Sequence, residues 1–202
     1  MKIFCVGRNY SLHAKELGND VPTEPVIFLK PETALLRTGH PFFIPPFSNE
    51  IHYETEVVLR ICRVGKGISP EFALRYVDKV SVGIDFTARD LQDKLKSKGL
   101  PWEISKGFDG SAALGEWVDT ENLNLDQLDF SLLLNNQNAQ IGNTKDMLFS
   151  IANIISYISN FYTIKIGDLI YTGTPAGVAK VNPGDTLEAF LGQQRVLNMK
   201  IK

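Results

Sequence analysis

The sequence predicts one mixed, mainly β domain (α+β) over residues 1–202, with a few peripheral helices. Three observations carry that prediction. Short segments rich in β-branched and apolar residues recur along the chain, whereas stretches with helical periodicity are few. Composition is ordinary for a soluble chain, 44 % hydrophobic and 22 % charged. No repeat, low-complexity tract or linker divides the 202 residues, a length that suits one domain with a substantial core.

Strands are expected over 2–6, 26–29, 42–44, 51–61, 80–86, 112–118, 131–134, 168–172, 186–189 and 195–201. Asn135-Asn136, between Leu134 and Gln137, suits a tight hairpin turn. Among the helices, 11–17 is a short candidate ended by Gly18. Ser69-Pro70-Glu71 is an N-cap, first-turn proline and acidic residue opening a helix over 72–77. Thr87-Ala88-Arg89-Asp90 resembles a capping box leading into 91–98, which Gly99 and Pro101 stop. Thr144 is placed to cap a longer helix to about Phe161, where Met147, Ile151, Ile154, Ile155 and Ile158 form a core-facing stripe.

A net charge of −2 without a block of like charges argues against a nucleic-acid or anionic-membrane surface. No apolar run approaches the ~18 residues that a spanning helix needs. Met1 to Arg8 is too short in apolar residues for a signal peptide. Cys5 and Cys62 lie in expected strands without metal-ligand spacing, so reduced core thiols and a cytoplasmic location are expected.

The most informative stretch is 51–61. In a strand, side chains alternate faces, so His52, Glu54 and Glu56 share one side while Ile51, Tyr53, Thr55, Val57, Leu59 and Ile61 share the other, nearly all apolar. Two carboxylates roughly 7 Å apart along the backbone repel if both turn inward, and a divalent cation with oxygen ligands relieves that cost. An exposed acidic face is the other reading. Asp85 ends an apolar strand just before a helix start, where it is either a third oxygen ligand or a cap. Three carboxylates with open positions suit Mg²⁺ or Mn²⁺. His13 and Glu16 are three apart and meet if their segment is helical, as a general base and its orienting carboxylate do; a polar exposed helix face gives the same spacing. The following Gly18-Asn19-Asp20-Val21-Pro22 is a loop suited to act as a lid. Lys106 sits in a loop with two nearby glycines, either approaching a ligand or simply solvated. The run 171–178 is a rigid, glycine-rich turn after a strand; it lacks the Gly-Lys-Ser/Thr ending of a phosphate loop.

Taken together, these pieces resemble the fumarylacetoacetate hydrolase superfamily, in its short single-domain acylpyruvase and oxaloacetate decarboxylase branch. The likeness runs through Gly7-Arg8-Asn9-Tyr10 with His13 and Glu16, Pro25 to Pro31, and His52-Tyr53-Glu54-Thr55-Glu56. It continues through Asp85 to Gln92, Gly99-Leu100-Pro101-Trp102, Lys106-Gly107-Phe108-Asp109 and Thr172-Gly173-Thr174-Pro175. The resemblance implies a β-sandwich or roll with an N-terminal lid, usually a homodimer. It implies Glu54, Glu56 and Asp85 as ligands for Mg²⁺ or Mn²⁺. It implies His13 and Glu16 as the lid dyad, Lys106 as the cation beside the metal, and Arg89, Gln92 and Thr174 as substrate contacts.

Three carboxylates and one dication leave such a site at −1, so an anionic 2-oxo acid requires further cations, with Lys106 and Arg89 the candidates. The implied chemistry passes through a pyruvate enolate: acylpyruvate hydrolysis, oxaloacetate decarboxylation, or oxaloacetate keto–enol tautomerisation. A metal-dependent oxo-acid binder without turnover is the alternative from a different class.

Overall fold

The computed structural model describes residues 1–11, 16 and 21–202. Fifteen strands are defined among these residues. In chain order they are β1 (Ile3–Gly7), β2 (Val26–Lys30), β3 (Leu35–Arg37), β4 (Ile51–Tyr53), β5 (Thr55–Ile61), β6 (Val77–Asp85), β7 (Thr87–Ala88) and β8 (Ala112–Leu114). Then follow β9 (Val118–Asp119), β10 (Asp129–Leu134), β11 (Gln137–Asn143), β12 (Leu169–Tyr171), β13 (Ala179–Lys180), β14 (Thr186–Leu191) and β15 (Gln194–Lys200). They form an eight-stranded sheet ordered β2-β1-β12-β5-β6-β8-β3 with β9 beside β6, a four-stranded sheet β11-β10-β14-β15, and a three-stranded sheet β13-β4-β7. The chain thus has the mixed, mainly β architecture that its short apolar segments predict.

The main sheet is covered on both faces, which is why β5 reads as a nearly continuous apolar run. Val57, Leu59 and Ile61 face the principal core, shared with Phe130, Leu132, Leu187 and Ala189 of the four-stranded sheet. Val58 points the other way, into a smaller cluster with Ile3, Cys5, Leu114, Leu169 and Tyr171. Helix Ile151–Phe161 adds Ile151, Ile154, Ile155 and Ile158, all fully buried. Each contributes about 1.5–3 kcal/mol by burial.

Several boundaries differ from the sequence expectation. The 51–61 segment is not one strand: β4 belongs to the three-stranded sheet and β5 to the main sheet, and the chain changes sheets at Glu54. Simple alternation therefore does not relate Glu54 to its neighbours; the sheet change aims it. The expected 112–118 strand is likewise two, β8 and β9. Residues 42–44 make only an isolated bridge, Phe42 to Ile201. Thr144 opens a 3-10 turn instead of the long helix, whose cap is Ser150, its Oγ accepting the Asn153 N–H at 3.3 Å. Of the two free cysteines, Cys5 is buried, whereas Cys62 is only partly covered.

Candidate active site

The site starts from strand pairing. β5 and β6 run antiparallel with Thr55 opposite Ile84 and Glu56 opposite Gly83, so the start of β5 meets the end of β6. The Asp85 N–H donates to the Glu54 carbonyl at 2.8 Å. This register brings carboxylate oxygens of Glu54, Glu56 and Asp85 within 4.8 Å of one another, all three residues buried. The exposed-acidic-face reading of 51–61 and the cap reading of Asp85 are thereby excluded.

Buried like charges at this spacing require counter-charges, and three cations supply them. Lys106 Nζ donates to Glu54 Oε2 at 2.7 Å and to Asp85 Oδ2 at 2.9 Å. Arg89 pairs with Glu54 through a short hydrogen bond. Lys30 Nζ lies 2.7 Å from Asp85 Oδ1. Burial pulls the Lys106 ammonium toward neutrality, but Asp85 and Glu54 prevail and hold its pKa above the ordinary lysine value. Glu56 goes the other way. Burial, then Asp85 and Glu54, push its carboxyl well above the usual range, and Lys106 and the Gly173 N–H only partly offset them.

Lys106 does not lie in a solvated loop. It ends a single helical turn, Glu103–Lys106, and is buried. Lys30 was not singled out from sequence, although a lysine closing the apolar strand Val26–Lys30 was a signal. Its ammonium donates to the Ser111 carbonyl and Oγ, both at 3.0 Å, and to the Lys106 carbonyl. It therefore fastens the Lys106 turn to Asp85.

Arg89 and Gln92 lie one turn apart on helix Arg89–Lys96, and Arg89 Nη1 donates to Gln92 Oε1 at 2.5 Å. Thr174 is held by a second unforeseen residue, Gln140 of β11, whose Nε2 donates to Thr174 Oγ1 and to the Pro175 carbonyl, each at 2.8 Å. Gly173 donates its N–H to Glu56 Oε2 at 2.8 Å. Its φ of +103° suits glycine, and a Cβ there would stand 2.7 Å from the Asn9 Cβ. Asn9 Nδ2 in turn donates to the Thr172 carbonyl at 2.8 Å, fixing this turn from β1.

Glu16 accepts the Gly177 N–H at 3.1 Å and lines a cavity with His52, Arg89 and Lys96. His13 and most of the expected lid lie outside the described residues. The carboxylates, Lys106, Arg89 and Thr174 border a cavity of about 30 Å³, room for one small ion or water. The donor set fits a hard dication: it is all carboxylate oxygen, and among the described residues buried Asp85 Oδ1 receives no well-aligned hydrogen bond despite its ion pair.

A β-rich fold with a buried triad of oxygen donors and facing cations defines a class of proteins with a metal-competent site. The comparisons give the family. The fumarylacetoacetate (FAA) hydrolase C-terminal family matches residues 2–202, and the chain belongs to it. It is 40 % identical over 201 residues to oxaloacetate tautomerase FAHD1, mitochondrial, of Bos taurus, covering 99 % of this chain and 90 % of that one. It is 41 % identical over 189 residues to oxaloacetate decarboxylase, mitochondrial, of Dictyostelium discoideum, covering 93 % and 87 %. A crystal structure of fumarylpyruvate hydrolase from Pseudomonas aeruginosa, in complex with Mn²⁺ and pyruvate, superposes with a TM-score of 0.94 at 34 % identity, covering 100 % of this chain and 89 % of that chain. The mitochondrial names overturn the cytoplasmic expectation. Reduced thiols report a reducing compartment, not which one.

Proposed function

We propose that this protein is a divalent-metal-dependent enzyme that cleaves the C3–C4 bond of a 2,4-dioxo acid, releasing pyruvate, or removes carbon dioxide from oxaloacetate. The observation that carries this reading is the convergence of Glu54, Glu56 and Asp85 with Lys106 and Arg89 in one buried site. The Pseudomonas aeruginosa structure, described as holding Mn²⁺ and pyruvate, supports both the metal and the product class. Glu54, Glu56 and Asp85 are the proposed ligands, and bound Mg²⁺ or Mn²⁺ would supply a Lewis acid for the negative charge that develops as the enolate forms.

The chain's own residues do the rest. Lys106 and Arg89 present fixed positive charge to the substrate carboxylate and to the developing enolate, in a site that excludes most water. Gln92 and Thr174 orient the substrate, and Gln140 holds Thr174 in place. In hydrolysis, His13, oriented by Glu16, takes a proton from the water that adds to the C4 carbonyl. The C3–C4 bond then breaks, its electron pair enters the pyruvate enolate, and C3 is protonated. Decarboxylation needs no attacking water. Its C3–C4 electrons enter the same enolate as carbon dioxide leaves.

A second reading, oxaloacetate keto–enol tautomerisation, is supported by the name of the Bos taurus relative and uses the same cations. The test is a side-by-side assay of acetylpyruvate, fumarylpyruvate and oxaloacetate with Mg²⁺ or Mn²⁺, following pyruvate, carbon dioxide and enol absorbance. Pyruvate from a dioxo acid or carbon dioxide from oxaloacetate is expected. Enol interconversion alone would select the second reading. Saturable binding without turnover would make the protein a binder and sink both.

A further inference from the structure

Beyond the triad, the same cavity has an outer wall with a different composition. Trp102 is flanked by two cations: Arg8 Cζ is 5.9 Å and Lys96 Nζ 5.6 Å from its ring. Trp102 meets Phe28 edge-on at 6.0 Å, and Phe28 in turn lies 5.2 Å from Lys106 Nζ. Two aromatic rings thus connect the inner ammonium with an outer pair of cations, and all of these residues line one cavity with the carboxylates. The cavity beside the triad has room only for an ion, but Lys96 and Arg89 also border a second cavity of about 240 Å³, lined with Glu16, His52 and Asp93, which offers the room a substrate needs.

The two sets of cations are in different situations. Lys30, Arg89 and Lys106 are ion-paired with Glu54 and Asp85. Arg8 and Lys96 are not paired in this way. Among the described residues, neither forms an ion pair, and their recorded contacts are with the Trp102 ring. Lys96 is half-buried; burial, then repulsion from Arg89 and Arg8, lower its pKa, and Asp93 only partly opposes this. Arg8 keeps a φ of +59°, a left-handed conformation that costs a non-glycine residue about 1 kcal/mol or more. Two cations that share one tryptophan ring and have no carboxylate partner among the described residues, one of them on a strained backbone, are placed for an anion.

We propose that Arg8 and Lys96, beside the Trp102 ring, form a subsite for the distal carboxylate of a dicarboxylic 2-oxo acid. The inference rests on the 2-oxo acid reading given above and narrows it. The inner cations serve the carboxylate and oxo group at the reacting end. The outer pair selects substrates that carry a second carboxylate at the far end, such as oxaloacetate or fumarylpyruvate, over monocarboxylic acylpyruvates.

The decisive variant is Lys96→Gln, which keeps a long side chain against Trp102 and deletes the charge. With Mg²⁺ present, kcat/KM should fall about 10–100-fold for oxaloacetate and fumarylpyruvate, mainly through KM, the scale of one charge-assisted contact. For acetylpyruvate it should change by less than about threefold, the scale of a rim charge. A second arm uses two ligands that the proposed chemistry does not cleave. Titrating wild type with 2-oxoglutarate and pyruvate should show tighter binding of the dicarboxylate, and Lys96→Gln should erase that preference. Equal losses for mono- and dicarboxylates, or none for either, would overturn the subsite and leave Lys96 as packing for Trp102. Absence of any turnover in wild type alongside a Lys96-dependent binding preference would instead sink the reaction assignment and keep the subsite.

Discussion

Lys106→Met deletes one charge from the centre of the site while keeping most of the side-chain length. Lys106 makes two charge-assisted hydrogen bonds, at 2.7 and 2.9 Å, to different carboxylates. Removing one partner of a buried ion pair costs about 3–5 kcal/mol, because the remaining charge stays buried and uncompensated. Lys30 and Arg89 still face Asp85 and Glu54, and a carboxyl can take up a proton, so the low end, about 3 kcal/mol, is expected. For a chain of this length that corresponds to a fall in Tm of roughly 6–12 °C. The assay is thermal unfolding in chelator. Metal affinity should move oppositely: Lys106 occupies oxygens of Glu54 and Asp85 and repels a dication, so without it Mn²⁺ should bind more tightly by calorimetry. Turnover with metal should drop by about 100-fold, as loss of a preorganised cation costs on the order of 3 kcal/mol in the transition state. A variant that loses stability and metal affinity together would refute this reasoning and make Lys106 part of the scaffold that shapes the triad. Wild-type stability in chelator would refute the charge balance itself.

Four shorter predictions follow the same site and fold. Glu54→Gln should keep the fold and lose most Mg²⁺ affinity and activity; unchanged affinity in a calorimetric titration would remove Glu54 from the proposed ligand set. His13→Ala should lower acylpyruvate hydrolysis by ~10²–10⁴, the usual worth of a general base, and oxaloacetate decarboxylation far less; equal losses in kcat/KM would assign it to binding. Gly173→Ala should destabilise by about 1–3 kcal/mol through its left-handed φ and weaken metal binding by shifting the N–H that Glu56 accepts; a wild-type Tm would show that the turn relaxes freely. Asp78 is held below the ordinary carboxylate range by its hydrogen bond from Arg60, so its contribution to stability is present above the unfolded value near pH 4 and is lost as pH falls through the folded one. Asp78→Asn should therefore flatten the acid limb of a Tm–pH curve, and an unchanged limb would deny the pair that role.

The fold class was legible because alternating and continuous apolar runs report burial directly, as in Val77–Asp85 and Thr186–Leu191. What alternation cannot report is where a chain leaves one sheet for another. Residues 51–61 carry no Gly or Pro at Glu54, yet the chain changes sheets there. The acidic residues were legible by type and spacing, and the register of β5 on β6 then brought them together. The supporting residues were harder to read. Gln140 acts on Thr174 across 34 positions and Lys30 on Ser111 across 81, so no local pattern marks either. Lys106 was found through its glycine neighbours, but its burial depends on a single helical turn, Glu103–Lys106, too short to have a periodicity.

The parallel pairing of β1 with β12 has a consequence for how the chain is made. Ile3 lies beside Leu169, and the Lys2 N–H donates to Asp168 across 166 positions. β1 leaves the ribosome long before its partner. Until then β1 can rest only on β2, its antiparallel neighbour. Gly173, which reaches Glu56, lies just beyond β12 and arrives at the same late moment. Vectorial synthesis therefore delays completion of the acidic pocket until β12 and Gly173 have emerged, so a nascent chain stalled before them has no finished pocket with which to sequester a divalent cation.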